Sequence, residues 1–222
     1  MCGRYTLYQT QDLNSRFNLS HQPAIRVADN YNVTPGQTMP VLRLSNGNNF
    51  LDLMRWGFIP SWSKDIKMGY RLINARAETL FKKPIWSQAI LNCRCLIPAT
   101  GFYEWQAVGD NKLKKPFYIH PKNQKLFTFA GIWNLSKDAE GLELKTFSII
   151  TVDANKEMAA IHERMPVILK PSEEARWLES SLGKTDIMSI LKPYEDNKLD
   201  IYEVSSDVNN PRNNSERLVQ KL

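Results

Sequence analysis

The chain has 222 residues, 42% of them hydrophobic. A chain of this length buries roughly 70% of its unfolded surface, so its core needs neither a structural metal nor a disulfide. No apolar run approaches the ~20 residues of a membrane-crossing helix. The polar start MCGRYTLYQT does not read as a secretory signal, so a cytoplasmic protein with no membrane partner is expected, nucleoid-associated if the source is bacterial. A net charge of +6 and a pI near 9.2 favour an anionic partner without naming one. The basic residues are scattered, and their densest group, Lys112, Lys114 and Lys115, suits a solvated turn as well as a phosphate contact.

In chain order, MCGRYTLY predicts a strand, and residues 10–18 a short helix with Thr10 as N-cap and Leu13 and Phe17 one turn apart. YNVTPGQTMP is rich in turn formers, and 40–45 with 50–56 make a strand pair around NGNN. GFIPSWSKD reads as an aromatic-rich loop, and 77–91 as helical with Pro84 restarting the helix after a break. The middle predicts strands at 93–97, 102–108, 115–120, 125–133 and 144–152, the last four separated by turns at Gly109-Asp110-Asn111, Pro121-Lys122-Asn123 and Asp138–Gly141. Short successive strands imply an antiparallel meander. Asp153 is expected to cap a short helix through Ile161, and Ser172 another with Glu173 and Glu174 in its first turn. A further helix near 185–191, a strand at 200–204 and the polar SSDVNNPRNNSER complete the chain. The whole reads as one α+β domain over 1–222, with a curved, barrel-like antiparallel β-sheet core flanked by short helices.

Three cysteines, an odd number, argue against a disulfide framework. Cys93 and Cys95 alternate onto one strand face in CRCLIP and read as buried, inert thiols. Three histidines and no CxxC pair offer no zinc site, so no metal and no cofactor is expected.

Cys2 is different by position. Removal of Met1 leaves an α-amine and a thiol on one residue, with ordinary pKa values near 8 and 8.5. Such a 1,2-aminothiol condenses with an aldehyde to an imine, and the thiol then closes a five-membered thiazolidine. Three other segments concentrate polar residues in apolar surroundings. LINARAET alternates Asn74, Arg76 and Glu78 on one strand face. PATGFYEW sets Glu104 between Tyr103 and Trp105, where a carboxyl pKa is readily raised. IHERMP places His162 beside charged and turn-forming neighbours. Each also has a plain structural explanation: Asn74 satisfying backbone groups, Glu104 in an ion pair, His162 as an ordinary helix-end histidine.

Taken in order, MCGRY, YNVTPG, RWGFIPSW, INARAET, CRCLIPATGFYEW, FTFAGIW and IHERMPVIL span residues 1–169 and resemble the SOS-response-associated peptidase (SRAP) family of abasic-site processing proteins, with VNNPRNN a weaker match. The resemblance implies a single α+β domain with a shallow positive groove for single-stranded DNA, whose N-terminal cysteine forms a thiazolidine with the ring-opened aldehyde of an abasic site. It implies catalytic positions at Cys2, Asn74, Glu104 and His162, and a DNA surface of Arg4, Asn32, Pro35, Trp62, Arg76, Trp105 and Arg164. Thr34 departs from the alanine common at that place, and SWSKD carries one tryptophan where some members have two.

The residue types suit those roles. Arg4, Arg76 and Arg164 are phosphate binders by bidentate hydrogen bonding. Trp62 and Trp105 stack on unpaired bases. Glu104 and His162 are proton carriers, and Asn74 is a neutral hydrogen-bonding group. The expected partner is single-stranded DNA containing abasic sites, and the expected state is a monomer. Two other readings stay open. One is a thiol peptidase using Cys2, His162 and Asn74, whose action could be confined to removing its own Met1. The other is a binder of modified or single-stranded DNA without chemistry.

Overall fold

The computed structural model describes residues 2–19, 25–109 and 113–222. Met1, His21 and the Asp110-Asn111-Lys112 part of the expected turn and lysine cluster lie outside the described residues. The strands are β1 (Tyr5–Leu7), β2 (Asn30–Val33), β3 (Thr38–Ser45), β4 (Asn48–Trp56), β5 (Asn74–Arg76), β6 (Arg94–Ala99), β7 (Gly101–Val108), β8 (Leu113–Pro121), β9 (Phe127–Lys137), β10 (Glu143–Asp153), β11 (Arg164–Pro166), β12 (Ile168–Leu169) and β13 (Leu199–Glu203). The helices are α1 (Leu13–Phe17), α2 (Pro84–Asn92), α3 (Lys156–Ala159), α4 (Pro171–Leu178) and α5 (Lys184–Ile190).

Most expected elements form where the pattern puts them. Leu13 and Phe17 bury one face of α1, Pro84 opens α2, and Asn46-Gly47, both at positive φ, join β3 to β4 as a tight hairpin. Caps differ. Thr10 directs its hydroxyl to Val27 O and Asp29 rather than to a helix. Asn155, not Asp153, caps α3, with its side chain accepting from Met158 N. Lys170 and Pro171, not Ser172, open α4.

The expected meander divides between two sheets. β7 pairs with β8, and β9 with β10, but β8 turns instead to β13 while β9 joins β6. One sheet has the order β13-β8-β7-β1-β2. In the other, β10 pairs β4, β4 pairs β3, β3 pairs β6, β6 pairs β9, and β9 returns to β10, which closes a five-strand barrel. A ring with an odd number of strands cannot alternate direction all the way round. One neighbouring pair must run parallel, and here it is β4–β10. The antiparallel expectation therefore fails at that seam and at β5, which continues along the same edge of β10.

The five-stranded sheet lies over the barrel. Phe102 and Ile119 point from it into the main core with Trp56, Phe129 and Phe147. Tyr103 and Tyr118 point the other way, into a smaller cluster closed by Val204, Val208 and Leu218 of the C-terminal segment. Among the described residues, no helix is long and apolar enough to cross a membrane. Cys95 is buried in β6 and Cys93 half-buried at the end of α2. Both are free, and burial raises both thiol pKa values, which suits an inert role.

Candidate active site

Cys2 enters the site because β1 zips antiparallel to β7. Tyr5 faces Phe102, and Tyr103 N donates to Arg4 O at 2.9 Å. That register brings Cys2 to the stretch of β7 carrying Glu104. Alternation along β7 then sends Phe102, Glu104 and Gln106 towards the barrel, while Tyr103 and Trp105 face away. The Cys2 side chain is fully buried. Burial pushes its thiol far above the ordinary range, and the field of Glu104 adds to the effect. Asn74 arrives on β5 from the parallel edge of β10 and donates Nδ2 to Cys2 O at 2.8 Å. Its Oδ1 is buried without a hydrogen-bond partner among the described residues.

Glu104 is 2% exposed, and burial raises its carboxyl pKa. His162 follows α3 in a turn held against β7 by a hydrogen bond from Gln106 Nε2 to Ala160 O at 2.8 Å. Its Nδ1 accepts from Arg164 N at 2.9 Å. A backbone N–H can only donate, so Nδ1 carries the lone pair and the neutral ring holds its proton on Nε2. Burial also lowers the imidazole pKa below its usual value. Lys114, across β8, acts electrostatically on both Glu104 and His162. In the sequence it is visible only as one of a scattered lysine group.

The structure separates the expected DNA residues into two sets. Trp62, 71% exposed, and Arg76, also exposed, face solvent. Pro35 is half-buried in the turn after β2. The other four are engaged within the fold. Asn32 is buried and donates Nδ2 to the carbonyls of Asn210 at 3.1 Å and Asn213 at 2.8 Å. Arg4 Nη1 donates to Asn32 Oδ1 and Val208 O, both at 2.7 Å, and its guanidinium lies over the Trp105 ring. Trp105 donates Nε1 to Asn209 Oδ1 at 2.8 Å. These three residues clasp the C-terminal segment to the outer sheet face.

Arg164 is 6% exposed. It makes hydrogen-bonded ion pairs with both oxygens of Glu78 and with Asp153, and donates to Thr151 O at 2.8 Å. Glu78 sits just after β5 and Asp153 at the end of β10. The guanidinium thus ties the segment bearing Asn74 to the turn bearing His162. In the sequence Glu78 is legible only as an alternating polar residue, and nothing local pairs it with Arg164. Among the described residues no cluster of His, Cys, Asp or Glu is arranged to hold a metal ion.

The chain is similar to known proteins. The profile described as SOS response associated peptidase (SRAP) matches residues 1–211. The chain is 43% identical over 223 residues to abasic site processing protein YoqW of Bacillus subtilis, covering 99% of each. It is 34% identical to abasic site processing protein HMCES of Xenopus tropicalis over 83% of this chain and 64% of that one. A crystal structure of a Bacteroides thetaiotaomicron protein, 31% identical, superposes over all of both chains with a TM-score of 0.90. With a profile match across nearly its whole length and full-length relatives above 40% identity, the chain belongs to the SOS response associated peptidase family.

Proposed function

We propose that this protein processes abasic sites in single-stranded DNA, and that Cys2, exposed by loss of Met1, captures the lesion as a thiazolidine crosslink. The observation that carries the reading is the setting of Cys2: its carbonyl held by Asn74 and its thiol buried within the field of a buried carboxyl, Glu104. The relatives named as abasic site processing proteins support the substrate class.

The ring-opened deoxyribose presents an aldehyde at C1′. The Cys2 amine adds to it, and the carbinolamine loses water to give an imine. The thiol then adds across C=N, with sulfur bonding to carbon and the thiol proton passing to nitrogen. A carboxyl with a raised pKa remains a proton donor closer to neutrality, so Glu104 protonates the departing oxygen and the ring oxygen during opening. The buried Asn74 Oδ1, without a partner among the described residues, accepts from the amine or a sugar hydroxyl. His162, neutral with its proton on Nε2, gives that proton to the sulfur as the C–S bond of the thiazolidine breaks to regenerate the imine, and so supports reversal.

The same observations disfavour a thiolate peptidase. Burial opposes ionisation of Cys2, and His162 Nδ1 is occupied by a backbone donor. Exposed Trp62 and Arg76 carry strand binding. Arg4, Asn32, Trp105 and Arg164 hold the surfaces that support it.

The test is incubation with a single-stranded oligonucleotide bearing one abasic site, with and without borohydride. The protein with Cys2 at its N-terminus is expected to give a heat-stable adduct. Without borohydride, protein carrying one extra residue before Cys2 is expected to give none. A heat-stable adduct from the extended protein without borohydride overturns the mechanism, and no adduct from either protein in either condition overturns the reading.

A further inference from the structure

The two proton carriers of the site reach it on separate pieces of chain. Glu104 stands on β7, whereas His162 stands on the loop 154–163, closed at its base by Ala154 N donating to Glu163 O at 3.0 Å. Within the loop, Asn155 caps α3, and the N–H groups of Ile161 and His162 both bond Met158 O, at 2.8 and 2.9 Å. The loop therefore carries the imidazole as one piece, and the place of the ring depends on how that piece is moored.

The moorings come from two directions. The segment 194–197 holds the start of the loop: Asn155 Nδ2 donates to Tyr194 O at 3.0 Å, Lys156 N to Asp196 Oδ1 at 3.0 Å, and Asn197 N to Glu157 Oε2 at 2.9 Å. None of these bonds reaches the turn at 160–162. That turn is tied to β7 by Gln106, whose Nε2 donates to Ala160 O at 2.8 Å. Gln106 stands two residues after Glu104 on the same face of β7, and Ala160 two residues before His162. One amide thus spans from the strand of the carboxyl to the turn of the imidazole. The bond is exposed, so water competes for both partners and little fold stability comes from it. Its consequence is geometric.

Resting on the reading above, we infer that Gln106 is a positioning residue for the crosslink chemistry, its amide holding the His162 turn at the separation from Glu104 that lets both groups serve one captured sugar. Glu104 acts on the oxygens that leave C1′, and His162 on the sulfur that leaves the same carbon in reversal. Both must converge on one atom, and a misplacement of about 1 Å can cost a step as much as about 100-fold.

The experiment compares full-length wild type, Gln106→Met, His162→Ala and the double variant. Methionine keeps the length of glutamine but has no N–H to donate. Adduct is preformed on a single-stranded oligonucleotide bearing one abasic site, excess competing abasic DNA is added, and transfer is followed. Gln106→Met is expected to release its adduct about 10-fold more slowly than wild type. It is expected to add no slowing in the His162→Ala background, because a positioning residue acts through the group it positions. A second readout needs no DNA. Burial is the largest influence holding the His162 pKa down, and an untied turn opens to water. The His162 C2 proton is therefore expected to titrate at higher pH in Gln106→Met than in wild type. Wild-type release by Gln106→Met or by His162→Ala, slowing that multiplies in the double variant, or an unmoved His162 titration each overturns the positioning role and leaves capture by Cys2 intact. Absence of adduct with wild type overturns the reading on which it rests.

Discussion

Glu104 and Trp105 are neighbours on one strand, yet they belong to different parts of the molecule. Glu104 faces the barrel with Cys2, in a buried setting that raises its carboxyl pKa. Trp105 faces outward and donates to Asn209, next to Arg4 and Asn32, which hold the same C-terminal segment. The inner face keeps polar groups where solvation is poor, a cost that makes sense for proton transfer. The outer face satisfies its polar groups with backbone carbonyls, as a scaffold does. A motif that reads as one unit, GFYEW, thus splits between a buried carboxyl beside Cys2 and a clasp on the C-terminal segment.

The sharpest way to break this comparison is Glu104→Gln. If the inner face is chemical, adduct formation slows by about 10²–10⁴-fold, the usual weight of a general acid–base group. Stability should move the other way. A carboxyl whose folded pKa is raised holds its proton more tightly when folded, so the wild type loses stability as pH rises from about 4.3, the unfolded value, through the folded pKa. The variant escapes that loss. Its Tm at pH 7.5 should exceed that of the wild type, and the gap should close below pH 4. Slower reaction with a lower Tm would make Glu104 a structural group.

On the outer face, Asn32→Ala removes the donor for the tail carbonyls and the acceptor for Arg4. A loss of about 2–3 kcal/mol in urea unfolding is expected from buried groups left unpaired. Affinity for single-stranded DNA at fixed salt should not change. A clear loss of affinity in a variant that remains fully folded would return Asn32 to the DNA surface.

Arg164→Met tests the link between the halves of the site. About 2 kcal/mol should be lost, less than for a fully buried pair because Glu78 and Asp153 remain 48% and 82% exposed. If Arg164 positions His162, adduct release should slow along with formation while single-strand affinity holds. Weakened binding with unchanged kinetics would instead identify a phosphate contact.

The smallest effect concerns pH. Burial holds the His162 imidazole below its usual pKa, so the neutral ring should persist below pH 6.5. Stability from this residue is complete above 6.5 and lost as pH falls towards the folded value. The histidine C2 proton resonance should titrate with a midpoint under 6.5 in the folded protein, and a midpoint at or above 6.5 would contradict the buried neutral ring.

Much is legible in the sequence because it is local. Hydrophobic alternation marks the strands, Asn46-Gly47 the hairpin, and Pro84 the start of α2. Residue chemistry makes Cys2, Asn74, Glu104 and His162 candidates beside plain structural explanations, and it is the family resemblance that groups them as one expected site. What a sequence does not express is pairing between distant segments. That β8 leaves the meander for β13, and that a five-strand ring requires a parallel seam at β4–β10, follows from closure of the whole sheet. The same non-locality governs the arginines. Arg4, Arg76 and Arg164 are chemically equal as a sequence, each a fork fit for phosphate. Only the tertiary structure commits Arg4 to the tail and Arg164 to Glu78 and Asp153 while leaving Arg76 in solvent, because a guanidinium takes whichever carbonyls and carboxylates the fold brings within reach.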